Sequence, residues 1–381
     1  MKTYDALVIG GGIAGVSLGY ELAADRTVGL LEMESTLAFH TTGRSAATFT
    51  ESSGGPVMRA LTTASRAFLE DPPQVFESKP LSPLPLLVLG PQGAADAVRA
   101  LHREASVLLP EVRLVEPDEA QQICPVLRPG YVELAMFEPG GMGVDVHCVH
   151  QGYTRGLRQR GGEIYTSASV ATIERRGGVW RVTDAGGETY QAPVVVDAAG
   201  AWCDAVANLA RATPVGIQPM RRTIFMLPSP RERITGGLPF IGDIGATFYV
   251  KPEGEQFLCS PSEETLQPPS DVRPDELEIA RAIDAINTAT ILNARHVRSS
   301  WAGLRSIVPD RLPVVGFDPM AEGFFWFAGQ GGYGIQTGPA MARIGAGLVR
   351  GLPIPEDVAA LGLAADSVSP TRAGLSVAAA H

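Results

Sequence analysis

The sequence predicts an α/β chain in which a parallel-sheet domain, assembled from separated segments, carries an inserted, mostly antiparallel α+β domain. Three observations predict it. The chain opens on an apolar run, Asp5-Ala-Leu-Val-Ile9, that enters Gly10-Gly-Gly12-Ile-Ala-Gly15; a helix-like stretch from Val16 to Ala24 follows, then Val28-Gly-Leu-Leu31 closed by Glu32. Far downstream come two more runs with the composition of buried strands, Val194-Val-Val-Asp197 and Phe324-Phe-Trp-Phe-Ala328. Between these pieces lie segments that alternate apolar and polar residues with period two, as half-buried strands do. The expected division is 1–50, 141–215 and 301–381 for the discontinuous first domain, and 51–140 with 216–300 for the insert.

Each part of the opening has a physical task. Gly10 permits the tight turn out of the first strand, Gly12 lets a pyrophosphate approach bare backbone, and Gly15 lets the helix pack closely on the sheet. The helix N-terminus offers unpaired N–H groups to phosphate. Glu32, near the spacing of about 20 residues that such units show, can accept hydrogen bonds from a ribose diol. This is a Rossmann-type dinucleotide-binding unit.

Along the chain, His40-Thr-Thr-Gly-Arg-Ser45 is a polar loop, and Arg59 to Glu70 has helical spacing up to Pro72-Pro73. Leu84-Pro-Leu-Leu-Val-Leu89 reads as an edge strand because of its proline. Val149 to Arg160 reads as a helix. Glu163–Tyr165, Ser169–Ile173 and Val179–Val182 read as short alternating strands with glycine turns. Thr223–Leu227, Thr247–Val250 and Gln256–Cys259 alternate likewise, and an acid-rich helix runs from about Asp275 to Asn293. Phe324–Ala328 enters Gly329-Gln-Gly-Gly-Tyr-Gly334 and a helix of small residues to about Val349. The last thirty residues, rich in Ala, Ser and Pro, are expected to pack loosely or fray.

Composition narrows the function classes. A chain of 381 residues can bury a large core in two domains. Its net charge of −10 argues against a nucleic-acid partner, which needs a basic face. No apolar run approaches a membrane span, and a strand begins too early to leave room for a signal peptide, so the expected compartment is the cytoplasm. The four cysteines, Cys124, Cys148, Cys203 and Cys259, are scattered and read as buried small residues. His147 and His150 stand three apart but read as structural or solvated, and no metal site is expected.

A nicotinamide dehydrogenase usually keeps its dinucleotide domain in one stretch. A ring end gripped by a glycine loop at the far end of the chain points to FAD instead. Here the chain resembles the D-amino-acid oxidase superfamily of FAD-dependent amine oxidoreductases. Gly10–Gly15 with Glu32, Thr42-Gly-Arg-Ser-Ala-Ala47, Val195-Val-Asp-Ala-Ala-Gly-Ala-Trp202 and Gly329–Gln336 carry the resemblance. Within the superfamily it is most similar to bacterial D-arginine dehydrogenases, through Arg59-Ala-Leu-Thr62, Met220-Arg-Arg-Thr223, Phe248-Tyr-Val-Lys-Pro252, Trp301-Ala-Gly-Leu-Arg-Ser306 and Gln330–Thr337. The resemblance implies that Gly10, Gly12, Ile13, Ala14 and Gly15 hold the pyrophosphate and Glu32 the adenosine ribose. Thr42, Gly43, Arg44 and Ser45 would wrap the flavin end of the pyrophosphate, and Val170 would present its backbone to adenine. Ala199, Gly200 and Trp202 would lie along the cofactor. Gly331, Gly332, Tyr333, Gly334, Ile335 and Gln336 would aim N–H groups at the flavin ring, with Arg305 nearby.

Arg222, Tyr249 and Arg305 could clamp a substrate carboxylate, since guanidinium matches carboxylate in a fork and a phenol adds a third donor. In the arginine-oxidising relatives the matching positions grip the α-carboxylate. Arg221, one residue from Arg222, should face the other side of its strand. The expected side-chain pocket comprises Thr48, Thr50, Ser53, Leu86, Phe240 and Gly332. It departs from the relatives at Thr48 in place of His, at Ser53 in place of Tyr, and at Leu86 in place of the acid that would pair with a substrate guanidinium. The implied activity is oxidative deamination of a D-amino acid with an apolar or neutral side chain, by hydride transfer from Cα to flavin N5 and hydrolysis of the imine to a 2-oxo acid. The alternative on the same fold is a secondary amine, such as an N-methyl or cyclic imino acid, or a 2-hydroxy acid. Oxygen, a quinone or a carrier protein could accept the electrons.

Overall fold

The computed structural model describes residues 1–228 and 237–375. Val28–Leu31, Ala6–Ile9 and Val194–Asp197 are buried along their whole lengths and pair in parallel, Ala6 standing opposite both Val28 and Val194. Parallel strands covered on both faces read as unbroken apolar runs, and that is what composition registered. Among the described residues the sheet runs Glu163–Tyr165, Val28–Leu31, Ala6–Ile9, Val194–Asp197, Phe324–Ala328 and Val314–Phe317, antiparallel only at the last pair.

Successive residues of each strand face opposite sides, so Val8 and Val196 serve one core while Leu7 and Val195 serve another. On the first side lie helices Ile13–Leu22, Val146–Gln159 and Gly334–Val349, which contribute Val16, Leu18, Leu157 and Ile344. On the second, Trp180, Val182 and Tyr190 come from a small sheet of Lys2–Thr3, Thr189–Ala192, Val179–Asp184 and Val170–Arg176. Helix Cys203–Ala210 adds Val206 there.

The inserted layer is a nine-stranded, largely antiparallel sheet. Its order is Thr265–Leu266, Gln218–Pro228, Gln256–Ser260, Tyr249–Glu253, Phe240–Asp243, Leu86–Pro91, Val132–Glu138 and Arg113–Val115, with Ser299–Ile307 paired to Gln218–Pro228. Helix Glu276–Ala289 packs Ile279, Ala282 and Ile286 against Phe225, Phe257 and Leu87. The boundary expected at 300/301 falls inside Ser299–Ile307.

Several expectations are corrected. Leu86–Pro91 lies inside the large sheet, between Phe240–Asp243 and Val132–Glu138, not at an edge. Pro85 stands just before the strand, so its missing N–H breaks no ladder within it. Glu163–Tyr165 joins the parallel sheet beside Val28–Leu31, apart from Val170–Arg176 and Val179–Asp184. Helix starts move upstream: Pro56 opens the first, as proline suits an initial turn, and Asp145 caps the next by accepting from Cys148 N–H.

The segment after Val349 is tied down through Leu375 rather than frayed. Val358, Leu363 and Val368 are buried, Val315 N–H donates to Val368 C=O at 2.7 Å, and Arg372 forks onto Asp310 at 2.6 and 2.9 Å. The same expectation for residues 376–381 lies outside the described residues. All four cysteines are buried and free. No helix among the described residues is long and apolar enough to cross a membrane, and none of their His, Cys, Asp and Glu side chains form a metal-holding group.

Candidate active site

Strand Ala6–Ile9 ends at Gly10, whose φ of +112° is a conformation that side chains rarely adopt. A Cβ there would sit 2.3 Å from Ala198 O, and one at Gly15 would sit 1.8 Å from Gly10 O. The turn is possible only because both are glycine. Helix Ile13–Leu22 then starts at Gly12 with no side-chain cap from that residue; Ile13 N–H donates to Thr42 Oγ1 at 3.0 Å, and Gly12, Ile13 and Ala14 line a cavity.

Two cavities meet at this helix end. The smaller, about 210 Å³, is lined by Gly10, Gly12, Glu32, Val170, Ala199, Gly200 and Trp202 among others. Glu32 is 8% exposed, and its carboxylate accepts from Gly11 N–H at 2.7 Å and Glu34 N–H at 2.9 Å. It is fixed at the base of the turn with lone pairs to spare. The larger cavity, about 290 Å³, is lined by Gly12, Ile13, Ala14, Thr42, Arg44 and Ser45, then by Thr48, Thr50, Ser53, Arg222, Phe240, Tyr249 and Arg305. Gly331, Gly332, Tyr333, Gly334, Ile335 and Gln336 complete it from the mouth of helix Gly334–Val349. Gly12, Thr42, Ala198 and Gly200 belong to both walls, so the cavities form one trough. A buried acid, a helix N-terminus and a second helix mouth succeed one another along it, which suits a dinucleotide carrying a ring at its far end.

Not every expected residue reaches a wall. Gly15 and Gly43 lie behind, where a Cβ at Gly43 would meet Ala38 O at 2.3 Å; their role is close packing. The Arg44 guanidinium binds Phe39 C=O at 3.2 Å, Ala302 C=O at 3.0 Å and Asp271 at 2.6 Å. Its charge therefore pins the loop to strand Ser299–Ile307 and to Asp271 while the residue lines the larger cavity. Gln336, through its side chain, is bound to Thr62 Oγ1 at 2.9 Å and to the Thr50 backbone. Leu86 is absent from the cavity wall. It is 3% exposed and packed between Phe240 and Glu138, its neighbours across the sheet. The pocket expectation fails there because register places Phe240 over the cavity and leaves Leu86 one strand behind.

Arg222 and Arg305 come from adjacent antiparallel strands, Gln218–Pro228 and Ser299–Ile307, and converge with Tyr249 on the larger cavity. Gly332 permits this: a Cβ there would sit 2.6 Å from Arg305 Cζ. Burial, and then the charge of Arg305, push the Arg222 guanidinium down to about 10. Arg221 faces away as expected and pairs with Asp275 at 2.7 Å. Tyr249 packs its ring 5.4 Å from that of Phe240. Thr50 Oγ1 donates to Ser53 Oγ at 2.8 Å.

Three residues that carry no motif signal complete the site. His150 Nε2 bonds Gly11 C=O at 3.0 Å from helix Val146–Gln159, steadying the glycine turn from below. Buried Glu138 accepts from Glu51 N–H at 2.8 Å and from Ser52 Oγ, anchoring the loop that carries Thr50 and Ser53. Burial raises its carboxyl above the ordinary range. Glu264 approaches Arg222 at 3.1 Å and Arg305 at 3.7 Å. Of the three, only His150 drew notice in the sequence, as one of a structural pair.

Comparison with known proteins agrees with this geometry. A family model described as FAD dependent oxidoreductase matches residues 5–348. FAD-dependent oxidoreductase domain-containing protein 1 of Bos taurus is 26% identical over 407 residues, covering 91% of this chain and 81% of that protein. Glycine oxidase of Bacillus licheniformis is 24% identical over 396 residues, covering 93% and 95%. Among solved structures, L-proline dehydrogenase from P. horikoshii superposes with a TM-score of 0.82 at 19% identity, covering 93% of this chain and 96% of that one. These relatives support the superfamily without singling out the D-arginine dehydrogenases. With the family model spanning nearly the whole chain, the protein belongs to the FAD-dependent oxidoreductases, and FAD is its cofactor.

Proposed function

We propose that this enzyme oxidises the Cα–N bond of an amino acid with an apolar or neutral side chain, in the D configuration that its likeness to D-arginine dehydrogenases implies. One observation carries the reading. Two arginines and a tyrosine converge on the larger cavity, while none of the described residues lining it is an Asp or Glu. Such a wall binds a carboxylate and offers nothing to a cationic side chain. Phe240 and Ile224 supply apolar surface instead. The described wall also lacks His and Lys, so the substrate amine loses its proton to solvent or arrives neutral. Bound FAD supplies the two-electron acceptor. The chain's own contribution is orientation: Arg222, Arg305 and Tyr249 hold the carboxylate, which fixes Cα relative to the trough. In this reading Gly10, Gly12 and Glu32 serve the adenosine diphosphate half, and Gly331–Gln336 the ring.

Anaerobic flavin bleaching tests the substrate class. D-leucine, D-methionine or D-phenylalanine should reduce the flavin at least about tenfold faster than D-arginine, a difference of about 1.4 kcal/mol. Faster reduction by D-arginine would refute the reading. Bleaching only by N-methyl amino acids, cyclic imino acids or 2-hydroxy acids would select the alternative. Two observations favour that second reading: the Ser53 hydroxyl is already engaged by Thr50, and one fold neighbour is named a proline dehydrogenase.

The cofactor half has its own test. His150 is 2% exposed, burial lowers its pKa, and Nδ1 has no partner, so the ring is neutral with its proton on Nε2. His150→Phe would orphan Gly11 C=O at a cost of about 1–3 kcal/mol. FAD affinity, measured by fluorescence titration of the apoprotein, should weaken by roughly tenfold or more. Unchanged affinity would show that the contact does not steady the turn.

A further inference from the structure

Adjacent acids serve adjacent arginines at the edge of the larger cavity. Glu263 accepts from Thr223 N–H at 2.7 Å and lies 3.6 Å from Arg221, on the side away from the cavity. Glu264 takes the other side. Its Oε1 stands 3.1 Å from Arg222 Nη2, 3.7 Å from Arg305 Nη1 and 3.0 Å from Arg311 Nη2, and its Oε2 stands 2.8 Å from Arg311 Nη2. Arg222 and Arg305 line the cavity, whereas Glu264 and Arg311 do not. The carboxylate therefore lies off the cavity wall, hydrogen-bonded to Arg222 Nη2 and within ion-pair reach of Arg305 Nη1. Two guanidinium groups brought together repel, and without a counter-charge they would turn apart or toward solvent. Arg222 is buried, and its Nε has no hydrogen-bond partner among the described residues.

We propose that Glu264 is a positioning residue of the carboxylate site, holding Arg222 and Arg305 side by side so that their remaining donors serve the cavity. The inference rests on the clamp assigned to those arginines. Arg311, more than half exposed, anchors Glu264 from the solvent side. The sign of the effect sets this role apart from bulk electrostatics. Removing a negative charge beside two arginines should by charge alone tighten anion binding, whereas loss of positioning should weaken it.

The test titrates FAD-loaded enzyme with benzoate, followed by flavin absorbance and by calorimetry. Glu264→Gln should weaken benzoate binding at pH 7 by at least about tenfold. Glu264→Asp, which keeps the charge and shortens the reach, should fall between, and it carries the test if the Gln variant does not retain FAD. A pH profile adds an independent readout. Anion binding needs the charged guanidinium, so it is present below the Arg222 pKa of about 10 and lost above it. The groups acting on Arg222 are Arg305, which lowers its pKa, and Tyr249, Glu264 and Glu263, which raise it. Removing Glu264 should therefore shift the alkaline loss of benzoate to lower pH, by about one unit. Equal or tighter binding in Glu264→Gln, with the alkaline limb unmoved, would overturn the role. Failure of the clamp itself looks different: wild-type enzyme would ignore benzoate, or Arg222→Ala would bind it as wild type does.

Discussion

Arg222→Ala is expected to lower kcat/KM by roughly 2–5 kcal/mol of transition-state binding, about thirty- to several-thousand-fold. The guanidinium is buried and shares the cavity wall with Arg305 and Tyr249, so its loss removes one arm of the three-residue donor set. Truncation leaves the substrate carboxylate partly unpaired in a desolvated site. It also leaves Glu264 leaning on Arg311 alone for its close contact. FAD content should stay near normal, because Arg222 takes no part in the glycine turn or in the smaller cavity. Arg222→Lys should recover little, since a point charge does not reproduce a fork. Steady-state kinetics with the best substrate of the panel, alongside the flavin spectrum of the purified variant, decides the matter. Turnover near wild type would place the clamp elsewhere.

Gly15→Val should yield a colourless, destabilised protein. A Cβ at that position would lie 1.8 Å from Gly10 O, so the helix has to move away from the strand that feeds it. Gly10→Ala should be nearly as severe, combining a φ of +112° with a Cβ 2.3 Å from Ala198 O. Strain and overpacking of this kind each cost about 1–3 kcal/mol. Gly12→Ala is the control: its Cβ meets only Thr42 Oγ1, at 3.1 Å, and otherwise projects into free space. That variant should keep most of its melting temperature yet lose FAD affinity, because the methyl group occupies the approach of the pyrophosphate. Equal stability losses in all three variants would mean that the turn matters for folding alone.

What could be read directly was what local geometry enforces. The order strand, glycine turn, helix, strand and acid is a contiguous pattern, and Gly10, Gly15 and Glu32 stand where that pattern puts them. The buried strands Val194–Asp197 and Phe324–Ala328 were legible because being covered on both faces leaves a continuous apolar run. Arg222, Tyr249 and Arg305 were legible only through resemblance, since single polar residues on alternating strands carry no period of their own.

By itself, the sequence determined the cofactor turn, the strands that frame it and the residue types available to the cavity. Tertiary structure alone decided which of those residues face it. Pairing Leu86 with Phe240 on one side and Glu138 on the other set an expected pocket residue one strand behind the wall. Ala302 and Asp271 bind the Arg44 guanidinium at the cavity wall, and chain folding brought Glu264 up to Arg222 and Arg305. The physical reason is common to all three. Backbone conformation is governed by near neighbours and leaves a pattern in sequence, whereas strand register and long-range ion pairs join residues whose separation along the chain has no period to read.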